Sequence, residues 1–105
     1  MINARKELQI VLENIKKSST DISWMAVYTA DYSGDASRTF TNVEELDFEY
    51  DDLYGVQELH GVVVFSDQTW LERMEQNGNE WWAYNEWWAY MVPPKKEDWL
   101  KEDNR

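Results

Sequence analysis

The chain has 105 residues, no cysteine, a single histidine and a formal net charge of −11, which excludes a disulfide framework and thiolate metal sites and fits one domain with one core. The acid excess is local: residues 41–90 hold twelve Asp and Glu against one base, Arg73, while residues 1–40 hold five of each sign and 91–105 four of each. Such a patch repels nucleic acid and anionic lipid and steers toward basic surfaces, and with no apolar run of signal-peptide or membrane-span length the expectation is a soluble cytoplasmic protein that binds neither membrane nor nucleic acid directly.

Leu8, Val11, Leu12 and Ile15 recur at helical spacing within 4–17, with Asn3 as the cap and Lys16 and Lys17 set against the C-terminal dipole. Ser18 to Asp21 breaks this helix, and Ile22 to Ala30 reads as the first strand, with Trp24, Ala26 and Tyr28 opposed to Met25 and Val27. Asp31 to Ser37 is turn-rich. Phe40 to Phe48 reads as a short helix with Thr41 or Asn42 as cap and Glu44 and Glu45 in its first turn, followed by a loop over Glu49 to Gly55.

Val56 to Phe65, Thr69 to Gln76 and Glu80 onward are three consecutive strand candidates, with Asp67-Gln68 and Asn77-Gly78 as the turns between them. Two-residue loops at both turns place Phe65 opposite Trp70, Val63 opposite Glu72, Glu72 opposite Ala83 and Met74 opposite Trp81, on a face that is apolar except for Glu72. The reverse face then holds Arg73 over Trp82 as a cation–π pair and sets Glu75 against Glu80, an unfavourable pairing that keeps a parity-flipping three-residue loop open. Pro93 and Pro94 end the sheet, and Lys95 to Arg105 holds a short helix in which Trp99 and Leu100 dock on the body.

The fold expected is therefore α+β: an N-terminal helix on a mostly antiparallel sheet of about four strands, ending in a three-stranded meander. The single domain, 1–105, divides into helix and linker (1–20), strand, loop and short acidic helix (21–55), meander (56–92) and tail (93–105).

Residues 79–90 read NEWWAYNEWWAY, a tandem hexapeptide with four of the seven tryptophans. A six-residue shift keeps one face only in an extended chain, because side chains there alternate with period two, so an aromatic strand is expected. One copy completes the hairpin begun at Asn77-Gly78; the second is surplus and must extend the strand, bulge or pair elsewhere.

Chemistry has little to work with. A lone His60 without cysteine supports neither a nucleophilic triad nor a zinc site, and reads as a strand residue flanking the second turn of the meander. Asp47, Glu49, Asp51 and Asp52 lack the spacing, central glycine and terminal glutamate of a calcium loop. Glu72, Glu75 and Glu80 bring no cleft for paired acid–base catalysis. No catalytic residue, metal or cofactor is expected. One helix covering one sheet face cannot hide seven tryptophans, and an aromatic surface rimmed by carboxylates suits a protein interface.

Between Glu58 and Trp82 the chain reads ELHGVVVFSDQTWLERMEQNGNEWW. This segment resembles a group of small acidic proteins of bacteriophages and prophages, with a Glu-Leu-x-Gly strand, an Asp-Gly-Thr-Trp-Leu-Glu-Arg strand, a Gly-x-Glu-Trp-Trp-x-Tyr strand and a proline-rich stop. Leu46 to Asp51 and Pro93-Pro94 also fit, so the resemblance covers about residues 40–95. The chain departs from the group at Gln68, where glycine is usual, at Gln76-Asn77, where Tyr-Asp is usual, and in the second Glu-Trp-Trp-Ala-Tyr copy. The resemblance implies a phage setting, hence a bacterial host cytoplasm, and carries no established activity.

The expected function is that of a non-enzymatic acidic binding protein that inhibits or redirects a basic host protein. Glu44, Glu45, Asp47, Glu49, Asp51 and Asp52 supply attraction, and Trp82, Trp87, Trp88 and Tyr90 supply contact area. The alternative is a homodimer or larger homo-oligomer joined through the tryptophan-rich strand.

Overall fold

The computed structural model describes residues 2–29, 39–50, 57–87 and 91–100. It is an α+β fold in which β2 (Ile22–Thr29), β3 (Thr39–Phe40), β5 (Leu59–Phe65), β6 (Trp70–Gln76) and β7 (Asn79–Asn85) form one antiparallel sheet in the order β3-β2-β5-β6-β7. A separate two-stranded sheet pairs β1 (Ile2–Asn3) with β4 (Glu49–Tyr50), so there are more strands than the four expected.

Helix α1 (Ala4–Asn14) covers one face of the large sheet. Asn3 caps it by accepting from the Lys6 N–H at 3.0 Å, and Leu8 and Leu12 are buried on its inner side. The helix ends before Lys16, not after it. Lys16 adopts φ 59°, its N–H donates to Glu13 O, and the Lys17 N–H reaches back to Leu12 O, the Schellman pattern of terminal bonds. Beneath α1, Met25, Val27, Leu59, Val63, Phe65, Leu71 and Trp82 form the main core together with Val43 and Leu46.

The segment expected as a helix over Phe40 to Phe48 divides instead. Phe40 joins β3 opposite Val27, and only Val43–Leu46 coils, as a 3-10 helix capped by the Asn42 side chain on the Glu45 N–H. There the Phe40 ring meets Phe48 in a tilted contact at 5.0 Å, and both pack on the main core. Glu49 and Tyr50, expected as loop, form β4. The loop expected over 31–37 and most of that over 49–55 lie outside the described residues.

The two meander turns differ. Asn77 and Gly78 have φ 55° and 86° and form a two-residue loop, so Gln76 faces Asn79, Met74 faces Trp81 and Glu72 faces Ala83 as the sequence predicts. The first turn holds three residues, Ser66 to Gln68: the Phe65 N–H donates to Thr69 O at 2.9 Å and Gln68 takes φ 69°. The register therefore slips by one, pairing Val63 with Leu71 and Val64 with Trp70. This exchanges the predicted faces of β5 relative to β6, so Val63 and Phe65 lie under the helix with Leu71 and Arg73, while Val62 and Val64 share the outer face with Trp70 and Glu72.

The tail shields part of that outer face. Met91 and Trp99, the latter on α2 (Lys96–Trp99), pack against Val62, Val64 and Trp70. Trp99 also leans on Tyr28, which stacks on His60 at 5.2 Å, so His60 sits at the start of β5 against an aromatic ring and not beside a turn.

Candidate interaction surface

The β6–β7 hairpin sorts its side chains by alternation. Leu71, Arg73, Glu80 and Trp82 point under the helix and are buried; Glu72, Met74, Trp81 and Ala83 belong to the opposite face. Arg73 is thus the one base of the acidic middle and is withdrawn from solvent. Its Nε and one terminal nitrogen both donate to Glu80 Oε1, at 3.0 and 2.8 Å, the same nitrogen donates to the Tyr50 hydroxyl at 2.6 Å, and the other terminal nitrogen meets Glu7 at 3.1 Å. Burial alone would lower the guanidinium pKa, but Glu7, Tyr50 and Glu80 outweigh it and hold it above its ordinary value. Burial and the hydrogen bond to Glu7 likewise push the Tyr50 phenol upward.

Glu80 does a second job. Its oxygens accept from the backbone N–H groups of Glu58 and Leu59 at 2.8 and 3.0 Å, beyond the Val62–Val64 stretch where β5 pairs with β6. The like-charge contact expected between Glu75 and Glu80 is relieved because Glu80 turns to Arg73 and Glu75 accepts from the Gly78 N–H.

The candidate carboxylates of residues 44–49 ride on the helical layer. Glu45 is engaged locally, accepting from the Thr41 N–H and the Asn42 side chain. Asp47 and Glu44 share Arg5, whose guanidinium lies 3.7 and 4.0 Å away, and Asn3 also donates to Asp47. Glu49 is exposed on β4. Asp51, Asp52, Trp88 and Tyr90 lie outside the described residues.

Trp82, expected as a contact residue, is a correction: it is 7 % exposed and packs its ring 5.2 Å from the Arg73 guanidinium in the main core. The alternation that buries Arg73 buries its cross-strand partner too. Trp81 takes the surface position instead, 40 % exposed beside Met74 at 41 %. Trp87 is 58 % exposed and, with Trp24, Val64, Val92, Pro93 and Pro94, lines an open groove of about 460 Å³. β7 ends at Asn85, opposite Trp70 where β6 begins, so the ladder stops at the first residue of the second hexapeptide copy.

The acidic run and the aromatic residues therefore do not form one patch. The run lies on the helical layer, whereas Trp81, Met74 and Ala83 lie on the opposite sheet face. That face carries its own carboxylate, Glu72, which makes no hydrogen bond or ion pair among the described residues. In the sequence Glu72 is the lone charge on an otherwise apolar face, and that isolation is the signal that points to it. No helix among the described residues is long and apolar enough to cross a membrane. No protein-family model, curated protein or solved structure matches this chain.

Proposed function

We propose that this chain is a non-enzymatic binding protein that occupies a basic surface of another protein. In the phage setting implied by the resemblance, that partner is a host factor, inhibited or redirected by being covered. The observation that carries this reading is the burial of Arg73. With the only Lys or Arg of residues 41–90 neutralised inside the core, every other formally charged side chain of that stretch is a carboxylate. Long-range attraction comes from that excess of carboxylates, offset in part by Arg5 at Glu44 and Asp47 and by Lys17 at Asp67, and desolvated contact area from Trp81, Met74 and Trp87, with Glu72 as the anion among them.

Capture from bacterial lysate at low and high salt, comparing the native chain with Glu72→Lys and Trp81→Ala, tests the reading. Basic proteins retained by the native chain at low salt, and lost with either variant, are the expected result. Retention that ignores both substitutions, or a captured set without excess positive charge, overturns it.

Self-association through the tryptophan-rich strand is the second reading, favoured by the outer edge of β7, which pairs with no strand among the described residues. A charge of −11 on each copy opposes it. Sedimentation over a range of concentration and salt separates the two, since a strict monomer removes self-association.

A further inference from the structure

The edge of β7 has the properties of a strand-addition site, and we infer that it takes an extended, lysine- or arginine-bearing segment of the partner as a sixth strand of the large sheet. This rests on the acidic-binding reading above and specifies how the partner is held.

Exposed sheet edges are ordinarily defended by lysine, proline, a bulge or an inward-pointing unpaired charge. The strand NEWWAYN has no lysine and no proline, and its register with β6 runs without a shift from Gln76 opposite Asn79 to Trp70 opposite Asn85. Its one charge, Glu80, points under the helix and is consumed by Arg73. Because the two-residue loop makes Gln76 and Asn79 a hydrogen-bonded pair, bonded and non-bonded pairs alternate from there. The N–H and C=O groups of Glu80, Trp82 and Tyr84 therefore point away from β6, toward an edge that no strand among the described residues pairs.

Charge selects the occupant. A second copy brings another −11, whereas a cationic segment meets complementary side chains on the outer face. A residue of the added strand set beside Ala83 lies two strand spacings, roughly 10 Å, from the β6 backbone at Glu72. Ala83 is small, so a long cationic side chain passes over it to the Glu72 carboxylate, which is directly across the ladder. The half-exposed Trp81 ring forms the wall of this passage and offers its face to the same cation. Backbone bonds hold the segment, and Glu72 and Trp81 choose its charge.

The test uses an end-blocked peptide of alternating lysine and valine, about eight residues long, titrated against the full chain by calorimetry and tryptophan fluorescence. Its lysine-to-glutamate counterpart and a copy N-methylated at alternate residues serve as comparisons. The lysine peptide should bind, the glutamate peptide should not, and N-methylation should weaken binding about tenfold or more through lost edge hydrogen bonds. Tyr84→Pro, which removes an edge-facing N–H without touching the β6 ladder, should weaken it similarly, while Tyr84→Ala retains most affinity. Glu72→Gln should weaken the lysine peptide selectively. The N-methylated peptide probes the same edge on unaltered protein, so a poorly folded proline variant leaves the test intact.

Equal binding of the methylated and unmethylated lysine peptides overturns strand addition while leaving the acidic-surface reading standing. Failure of both lysine peptides to bind at low salt sinks both. A concentration-dependent dimer that Tyr84→Pro abolishes assigns the edge to a second copy and overturns the cationic occupant.

Discussion

Arg73 and Glu80 meet diagonally across the hairpin with both side chains fully buried, the guanidinium donating twice to one carboxylate oxygen. Breaking such a pair from one side strands a buried charge. Arg73→Met should cost about 3–5 kcal/mol in urea denaturation, because Glu80 and Glu7 are then left facing each other. Arg73→Met/Glu80→Gln should be less destabilised than the sum of the two single variants, since the second change discharges the stranded group. Strict additivity would show that the pair is not coupled.

Trp82 and Trp87 belong to successive hexapeptide copies, in which Trp87 matches Trp81, and they differ wholly in burial. Trp82→Ala should destabilise by about 3–5 kcal/mol. Trp82→Phe should cost markedly less, because the indole Nε1 is buried with no hydrogen-bond partner among the described residues and its removal relieves an unmet donor. Trp87→Ala, on the surface, should leave stability within about 0.5 kcal/mol and act on partner capture alone. Matching denaturation midpoints for Trp82→Ala and the native chain would contradict the placement of Trp82 in the core.

Three positions test the backbone. At Gly61, φ is 150° and an added Cβ would lie 2.3 Å from Ala26 O, so Gly61→Ala must push β5 away from β2 and should be among the most damaging single changes. Lys16 and Gln68 take φ 59° and 69°, where side chains other than glycine carry a steric cost. Lys16→Gly and Gln68→Gly should each stabilise by roughly 0.5–1 kcal/mol, because glycine adopts a positive φ without that cost. Thermal midpoints that fall instead would show that side-chain contacts at these sites outweigh backbone strain.

Stability should change at both ends of the pH scale. The hydrogen bond from Lys17 and those from Thr69 pull the Asp67 carboxyl down from 3.8 to about 2. A carboxyl with a lowered folded-state pKa contributes stability above its unfolded value that disappears as pH falls through the folded one. The Asp67 contribution should therefore be lost between those two values, and Lys17→Met should flatten that limb. Tyr50 has the opposite sense: its raised pKa makes its contribution complete below the ordinary tyrosine range and lost as pH rises beyond it. In an alkaline ultraviolet titration Tyr50 should ionise only above the ordinary tyrosine range, or with unfolding.

Local chemistry was legible in the residue order. The apolar spacing and Asn3 cap define α1, and Asn77-Gly78 sets the second hairpin register through conformations that those two residues adopt readily. From that turn alone follow the Met74–Trp81 and Glu72–Ala83 pairs of the candidate surface and the stacking of Arg73 on Trp82. The same alternation shows Glu72 as a solitary charge. What extended beyond one turn or one pair was not legible. Ser66-Asp67-Gln68 closes as a three-residue loop because the Asp67 carboxylate holds Thr69 and Gln68 accepts a left-handed backbone, a one-residue difference that exchanges whole faces. The division of Phe40 to Phe48 depends on partners far along the chain, Val27 for Phe40 and Ala4 for Phe48, the Ala4 N–H donating to Phe48 O.

The residue order by itself determined the acidic middle, the aromatic strand and the hairpin that displays it, because each depends on composition or on neighbours a few residues apart. Only the tertiary structure decided that Arg73 turns inward to Glu7, Tyr50 and Glu80, and that Trp81 replaces Trp82 on the surface. Those outcomes depend on which face of the hairpin α1 covers, a choice made by packing between segments 66 residues apart, as the Glu7–Arg73 contact shows.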